Sequence, residues 1–201
     1  MLDRAMRKLI DPPLNLLGER VASLGVSANS VTIFGLLLGL VGAVCIALQF
    51  YTAGLIFVLA SRVADGLDGA VARATKTTNF GGYLDISSDF FFYGAVPFAF
   101  ILADPDANTH AGAFLLLTFY VNGASFLGYA ILAEKHGRET TAQGVKSLYY
   151  SNGILEGTET IVFFVILCLF SNWFSLLAWG FGSLCLLTAM LRVYGAHRAF
   201  D

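Results

Sequence analysis

From Val31 to Tyr194 the chain is a succession of apolar runs, most of them long enough to cross a lipid bilayer, separated by polar breaks. A membrane-spanning helix needs about 20 apolar residues, and the runs fall at about 30–49, 53–74, 81–103, 111–133, 155–170 and 174–194. Of the 201 residues, 57% are hydrophobic and 13% charged, roughly half the ~25% charge of a soluble domain. The expected fold is therefore all-α and integral to the membrane, one domain over 1–201: six transmembrane helices within 30–198, preceded by an amphipathic interfacial segment at 1–24. The net charge of −2 gives no reason to expect a nucleic-acid partner. Cys45, Cys168 and Cys185 all lie in apolar runs without zinc-like spacing and read as buried, inert thiols. No cleavable leader is expected, because the first long run begins only near Val31.

In the N-terminal segment Leu2, Met6, Leu9 and Ile10 recur at helical spacing with Arg4, Arg7 and Lys8 between them, a basic amphipathic pattern suited to an anionic membrane face. Pro12–Pro13 is expected to break this helix, with a second short one from Leu14 to Leu24. Asn29 or Ser30 reads as the N-cap of the first span, and Asp104-Pro105-Asp106 as a turn. Arg and Lys fall before the first span, between spans two and three, between four and five, and near the end, whereas the breaks around Tyr51, Pro105 and Asn172 have none. The positive-inside rule then places both termini in the cytoplasm.

Spans two and three carry residues that a bilayer disfavours: Arg62, Asp65, Asp68, Arg73, Asp85 and Asp89. A charge at the centre of a span costs about 2.5–3.5 kcal/mol on insertion scales, so these carboxylates need a compensating partner. Asp65, Asp68, Gly69 and Ala72 share one helical face, and Gly81, Asp85 and Asp89 form a stripe at four-residue steps on the next helix. The short connection makes the two helices antiparallel neighbours, so the stripes can face each other near the cytoplasmic side. Oxygen ligands without His or Cys favour Mg²⁺ or Mn²⁺, and Mg²⁺ leaves positions open to substrate phosphates, which Arg73 could also hold. The competing explanation is a structural cluster in which Arg62 and Arg73 pair with the aspartates, but two arginines cannot neutralise four carboxylates.

Taken together, Asp65, Asp68, Gly69, Ala72, Arg73, Gly81, Asp85 and Asp89 resemble the signature of the CDP-alcohol phosphotransferases: two aspartates three apart, Gly, Ala-Arg, then Gly, Asp and Asp at four-residue steps. The resemblance extends over nearly the whole chain, since that family also has an amphipathic N-terminal helix and six spans. Asn29 and Thr32 look like the Asn and Thr that often begin the family's first span. Two departures are a shorter gap between Arg73 and Gly81, and Phe90 where many lipid-making relatives carry Lys.

The resemblance implies transfer of a substituted phosphate, in the first instance phosphatidyl from CDP-diacylglycerol, to an acceptor hydroxyl with release of CMP. It implies two divalent cations held by Asp65, Asp68 and Asp85, with Asp89 as a further ligand or as general base. Thr32, Asp65, Gly69, Ala72 and Arg73 would bind the CDP moiety, in a homodimer of the cytoplasmic membrane with the site facing the cytoplasm. For the acceptor, Lys146, Arg62 and Arg192 are the candidate phosphate contacts. Glu156 and Glu159, with Asn152, Thr160, Tyr149 and Tyr150 nearby, could instead accept an amino or quaternary ammonium headgroup, or simply favour the helix dipole. Gly35 and Gly39 form a small-xxx-small pair compatible with helix packing. The alternatives are a divalent-cation transporter, against which the one-ended clustering of carboxylates argues, and a catalytically silent membrane scaffold.

Overall fold

A computed structural model describes residues 3–136, 155 and 157–200. Among these the fold is entirely helical: α1 (Asp3–Ser23), α2 (Ala28–Ala47), α3 (Tyr51–Ala74), α4 (Asn79–Ala103), α5 (Pro105–Lys135), α6 (Gly157–Leu169) and α7 (Phe174–Phe200), with a single 3₁₀ turn (Ser171–Trp173) before α7. Four of the described helical segments, α2, α4, α5 and the turn with α7, have the length and apolar composition to cross a membrane. α3 has the length, 24 residues, but carries Arg62, Asp65, Asp68 and Arg73; the described part of α6 is apolar and shorter.

The helix ends show where local chemistry outweighs the hydrophobic pattern. α2 is capped by Ser27, whose Oγ accepts from Ser30 N at 3.2 Å, so the helix starts ahead of the expected Asn29 or Ser30 cap. α4 likewise starts at Asn79, because Thr78 Oγ1 accepts from Gly81 N at 3.0 Å. The expected turn at Asp104-Pro105-Asp106 is a helix start instead: Asp104 Oδ1 accepts from Ala107 N at 3.1 Å and Pro105 takes the first helical position. α1 runs unbroken through Pro12 and Pro13, contrary to the expected break. Two prolines remove bonds to the carbonyls four residues earlier; those belong to Lys8 and Leu9, both exposed, where solvent or headgroups can take the place of the missing donors.

α2, α3 and α4 pack closely, and glycines set the spacing. A β-carbon at Gly39 would sit 2.6 Å from the Phe92 ring and 2.9 Å from Ser61 Oγ; at Gly35 it would sit 3.1 Å from Ala64 Cβ. The small-xxx-small pair is thus turned inward, onto α3 and α4 of the same chain. α1 lies across α3 through Gly18, where a β-carbon would meet Ala70 Cβ at 2.6 Å, and through buried Leu14, whose Cδ1 would meet a β-carbon at Gly66 at 2.7 Å. α5 and α7 run parallel: Ser175 Oγ reaches Ala107 O at 2.6 Å near their starts and Arg192 reaches Asn122 O at 3.0 Å further along both. Stacked rings join α4 to α7, Phe100 on Phe174 at 5.0 Å, and α6 to α7, Phe163 on Phe181 at 4.0 Å between centroids. Cys168 and Cys185 are buried free thiols and Cys45 is half-buried.

Gly39→Leu forces side-chain atoms into the Phe92 and Ser61 positions, and overpacking of this kind costs about 1–3 kcal/mol. Thermal unfolding in detergent should shift downward by several degrees; an unchanged midpoint contradicts the close α2–α3–α4 approach.

Candidate active site

α3 and α4 run antiparallel, so positions advancing along α3 meet positions receding along α4. Asp65 and Asp68, one turn apart on α3, therefore come to face Asp85 in the first half of α4. One carboxylate oxygen from each of Asp65, Asp68 and Asp85 lies within 4.8 Å of the others. Three ionised carboxylates at this separation repel strongly outside bulk water, which makes the ring a candidate divalent-cation site. Its chemistry fits Mg²⁺ or Mn²⁺: hard oxygen donors and no nitrogen or sulfur.

Asp68 is buried, and Thr32 in the second turn of α2 explains its placement. Thr32 Oγ1 lies 2.6 Å from Asp68 Oδ2 and 3.1 Å from Ala28 O. A hydroxyl has one proton to donate, and the shorter approach to an ionised acceptor is the stronger bond. Thr32 itself is 6% exposed. The glycine of the second stripe, Gly81, sits where a β-carbon would be 3.2 Å from Asn29 Oδ1, so the starts of α2 and α4 close together beside the ring.

Asp89, one turn beyond Asp85, is not part of the ring. Its Oδ1 accepts from Arg62 Nη1 at 2.7 Å, and the same nitrogen lies 3.7 Å from Asp65 Oδ1. The arginine pairing is thus half present: Arg62 pairs with two of the aspartates, whereas Arg73 forms no ion pair with an aspartate among the described residues. The Arg73 guanidinium is exposed at the end of α3 and donates to Asn15 Oδ1 of α1 at 2.7 Å. Gly69 and Ala72 are half-exposed on the same face of α3.

Of the acceptor candidates, Arg192 is buried on α7 and its Nη1 donates to Asn122 O, Asn122 Oδ1 and Ser125 Oγ of α5 at 2.8–3.0 Å. Glu159 is half-buried in the first turn of α6. Lys146 and Glu156 lie outside the described residues, as do Tyr149, Tyr150 and Asn152. Asn15 on Arg73, and the Phe92 ring 3.8 Å beneath the Arg62 guanidinium, were not among the expected site residues. Nothing in their local sequence marks them, because both depend on contacts between different helices.

One carboxylate oxygen from each of three aspartates on α3 and α4 thus forms a cluster of metal-site dimensions, in a chain with four described helical segments long and apolar enough to cross a membrane. The sequence model of the CDP-alcohol phosphatidyltransferase family matches residues 25–191, and the chain belongs to that family of phospholipid-synthesis transferases. The transporter and silent-scaffold alternatives give way to this membership.

Among its relatives is the inner membrane protein YnjF of Escherichia coli (strain K12), 44% identical over 197 residues, 98% of this chain and 96% of that one. The archaetidylinositol phosphate synthase of Pyrococcus horikoshii is 28% identical over 98% of this chain and 97% of that one. The fold matches the crystal structure of Mycobacterium tuberculosis phosphatidylinositol phosphate synthase with CDP-DAG bound, at a TM-score of 0.73 and 19% identity, covering 91% of this chain and 92% of that one. The same enzyme with manganese and citrate gives a TM-score of 0.73 at 21% identity, covering 91% and 88%.

Thr32→Val keeps the shape of the side chain and removes the hydroxyl from Asp68. Loss of a group that orients a ligand typically weakens metal binding 10–100-fold, so Mn²⁺ titration followed by electron paramagnetic resonance should show about tenfold weaker binding in the variant. Equal affinity contradicts the role of Thr32 in setting the ring.

Proposed function

We propose that the protein transfers the phosphatidyl group of CDP-diacylglycerol to the hydroxyl of a small alcohol acceptor and releases CMP. The observation that carries this reading is the three-carboxylate ring of Asp65, Asp68 and Asp85, with Asp89 next on the same stripe. Its donor is suggested by the mycobacterial relative, whose structure has CDP-DAG bound.

Asp65, Asp68 and Asp85 would hold two divalent cations, Mg²⁺ or Mn²⁺, which would supply positive charge to stabilise the attacking hydroxyl oxygen and the leaving phosphate oxygen in an in-line displacement. The chain's own residues do the rest. Arg73, exposed at the end of α3, binds donor phosphate oxygens in its fork. Gly69 and Ala72 present no bulk on that face, so the nucleotide can approach the backbone. Thr32 acts through Asp68, holding its carboxylate in place. Asp89 takes the proton of the acceptor hydroxyl. The acceptor oxygen then forms a bond to the phosphorus that carries diacylglycerol, and the bond from that phosphorus to the CMP phosphate breaks.

The proposed topology is six spans, α2 to α7, with α1 in the interface and both termini cytoplasmic, in one domain over 1–201. In that arrangement the carboxylates sit toward the cytoplasmic end of α3 and the start of α4, where a donor with acyl tails can enter from the inner leaflet. This is the leaflet expected of a bacterial cytoplasmic-membrane enzyme, and its relative YnjF is an inner membrane protein. A homodimer is the proposed assembly. Lys146, Glu156 and Glu159 remain the proposed acceptor contacts.

Purified protein with CDP-diacylglycerol, Mn²⁺ or Mg²⁺ and single acceptors (glycerol 3-phosphate, serine, choline, inositol, inositol phosphate, a lipid alcohol) should release CMP only with one acceptor class. Asp89→Asn should reduce that release about 100-fold or more, the scale of a lost general base, and EDTA should abolish it. Acceptor-dependent release that survives chelation contradicts the metal-ring reading; release that survives Asp89→Asn contradicts the base assignment.

A further inference from the structure

α1 reaches the site at Arg73. That arginine stands exposed in the last turn of α3, and its Nη2 donates to Asn15 Oδ1 of α1 at 2.7 Å, across 58 positions of sequence. A guanidinium offers only donors, so the amide turns its oxygen toward it. This bond commits one of five N–H groups. No carboxylate forms an ion pair with Arg73 among the described residues, so the rest of the fork is open to phosphate oxygens.

The position of Asn15 is fixed by its neighbours rather than by the bond itself. Leu14, the residue before it, is buried, and its Cδ1 would meet a β-carbon at Gly66 at 2.7 Å. Gly18, one turn on, lies directly against the α3 backbone. A β-carbon there would sit 2.6 Å from Ala70 Cβ, 2.8 Å from the Ala70 carbonyl carbon and 3.0 Å from Val71 N. Leu14 and Gly18, four apart, form the stripe that faces α3, and Asn15 follows Leu14 by about 100° around the helix. Leu9, Leu16, Leu17 and Leu24 stay exposed, an apolar surface suited to a lipid interface. With one stripe packed on α3, α1 cannot slide or roll freely, and Asn15 is a fixed acceptor at the end of the arginine's reach.

We infer that Asn15 is a positioning residue for the donor: it holds the Arg73 guanidinium in place before the diphosphate of the nucleotide arrives, which makes α1 part of the donor-binding site. The inference rests on the assignment of Arg73 to the donor phosphates. An exposed arginine on a long stem loses rotamer freedom when it closes on a phosphate. A neighbour that already fixes one arm of the fork removes part of that cost from binding.

Asn15→Ala removes the acceptor from an exposed position and leaves the Leu14 and Gly18 contacts in place, so the thermal unfolding midpoint should not move. CDP-diacylglycerol should bind about 3- to 10-fold more weakly, the scale of one lost hydrogen bond. Mn²⁺ affinity should stay within about twofold, since the carboxylate ring is untouched. Arg73→Gln removes the charged donor itself and should weaken donor binding about 10- to 100-fold. Adding Asn15→Ala to Arg73→Gln should then cost no more than about a further twofold, because Asn15 acts through the guanidinium.

The test uses the full-length protein in detergent. CDP-diacylglycerol is titrated calorimetrically with Mn²⁺ present and no acceptor, so that binding is read apart from turnover, and Mn²⁺ itself is titrated by electron paramagnetic resonance. Weaker donor binding in Asn15→Ala that disappears in the Arg73→Gln background, with midpoint and Mn²⁺ affinity unchanged, supports the inference. Donor binding that weakens in Arg73→Gln but not in Asn15→Ala overturns it and leaves Arg73 on the phosphates. Unchanged binding in both single variants removes the Arg73 assignment, and the inference with it. An undiminished effect of Asn15→Ala in the Arg73→Gln background also overturns it, since Asn15 then acts on the donor by another route. A lowered midpoint with weaker Mn²⁺ binding does the same, being the pattern of a contact that merely holds α1 to α3.

Discussion

Four carboxylates gathered on two adjacent helices of a largely apolar bundle are the constraint around which the rest of this structure is arranged. Each would be costly to bury unpaired, and their mutual repulsion would push α3 and α4 apart. The protein answers with different partners for different positions. Asp68 accepts from the Thr32 hydroxyl, Asp89 and Asp65 share the Arg62 guanidinium, and Asp65, Asp68 and Asp85 bring one oxygen each to a cluster of the size that holds a divalent cation.

Holding these groups in register requires rigid helices at short range. Gly35 and Gly39 let α2 lie close enough to α3 and α4 for a residue as short as Thr32 to reach Asp68, and Gly39 also makes room for Phe92, the ring on which Arg62 rests. A bulky residue at either position would separate the helix that carries the hydroxyl from the helix that carries the carboxylate. α1 adds a second brace: Gly18 and Leu14 pack it across the second half of α3, and Asn15 accepts from Arg73 at the end of that helix. The amphipathic segment thus touches the site at the residue proposed to bind donor phosphate.

The parts of this arrangement that were legible in the sequence are those that depend on periodicity. Steps of three and four residues put Asp65 with Asp68, and Gly81 with Asp85 and Asp89, on facing stripes, and that spacing also carried the family resemblance. What spacing could not convey is which carboxylate a given cation would choose. Asp89 shares a face with Asp85, yet its Oδ1 meets Arg62 Nη1 at 2.7 Å, and the Phe92 ring lies under that guanidinium. Helix ends were obscured for a related reason. Ser27 and Asp104 cap earlier than the apolar pattern suggests because one side-chain oxygen satisfies a backbone donor, and α1 passes Pro12–Pro13 because the affected carbonyls face outward. Gly35 and Gly39 were legible as a packing motif, though not as one directed inward.

The most direct test of the account is anomalous scattering from crystals grown with Mn²⁺. The account predicts manganese peaks enclosed by the carboxylates of Asp65, Asp68 and Asp85. Manganese bound elsewhere, with this ring empty in protein that still releases CMP, would contradict it.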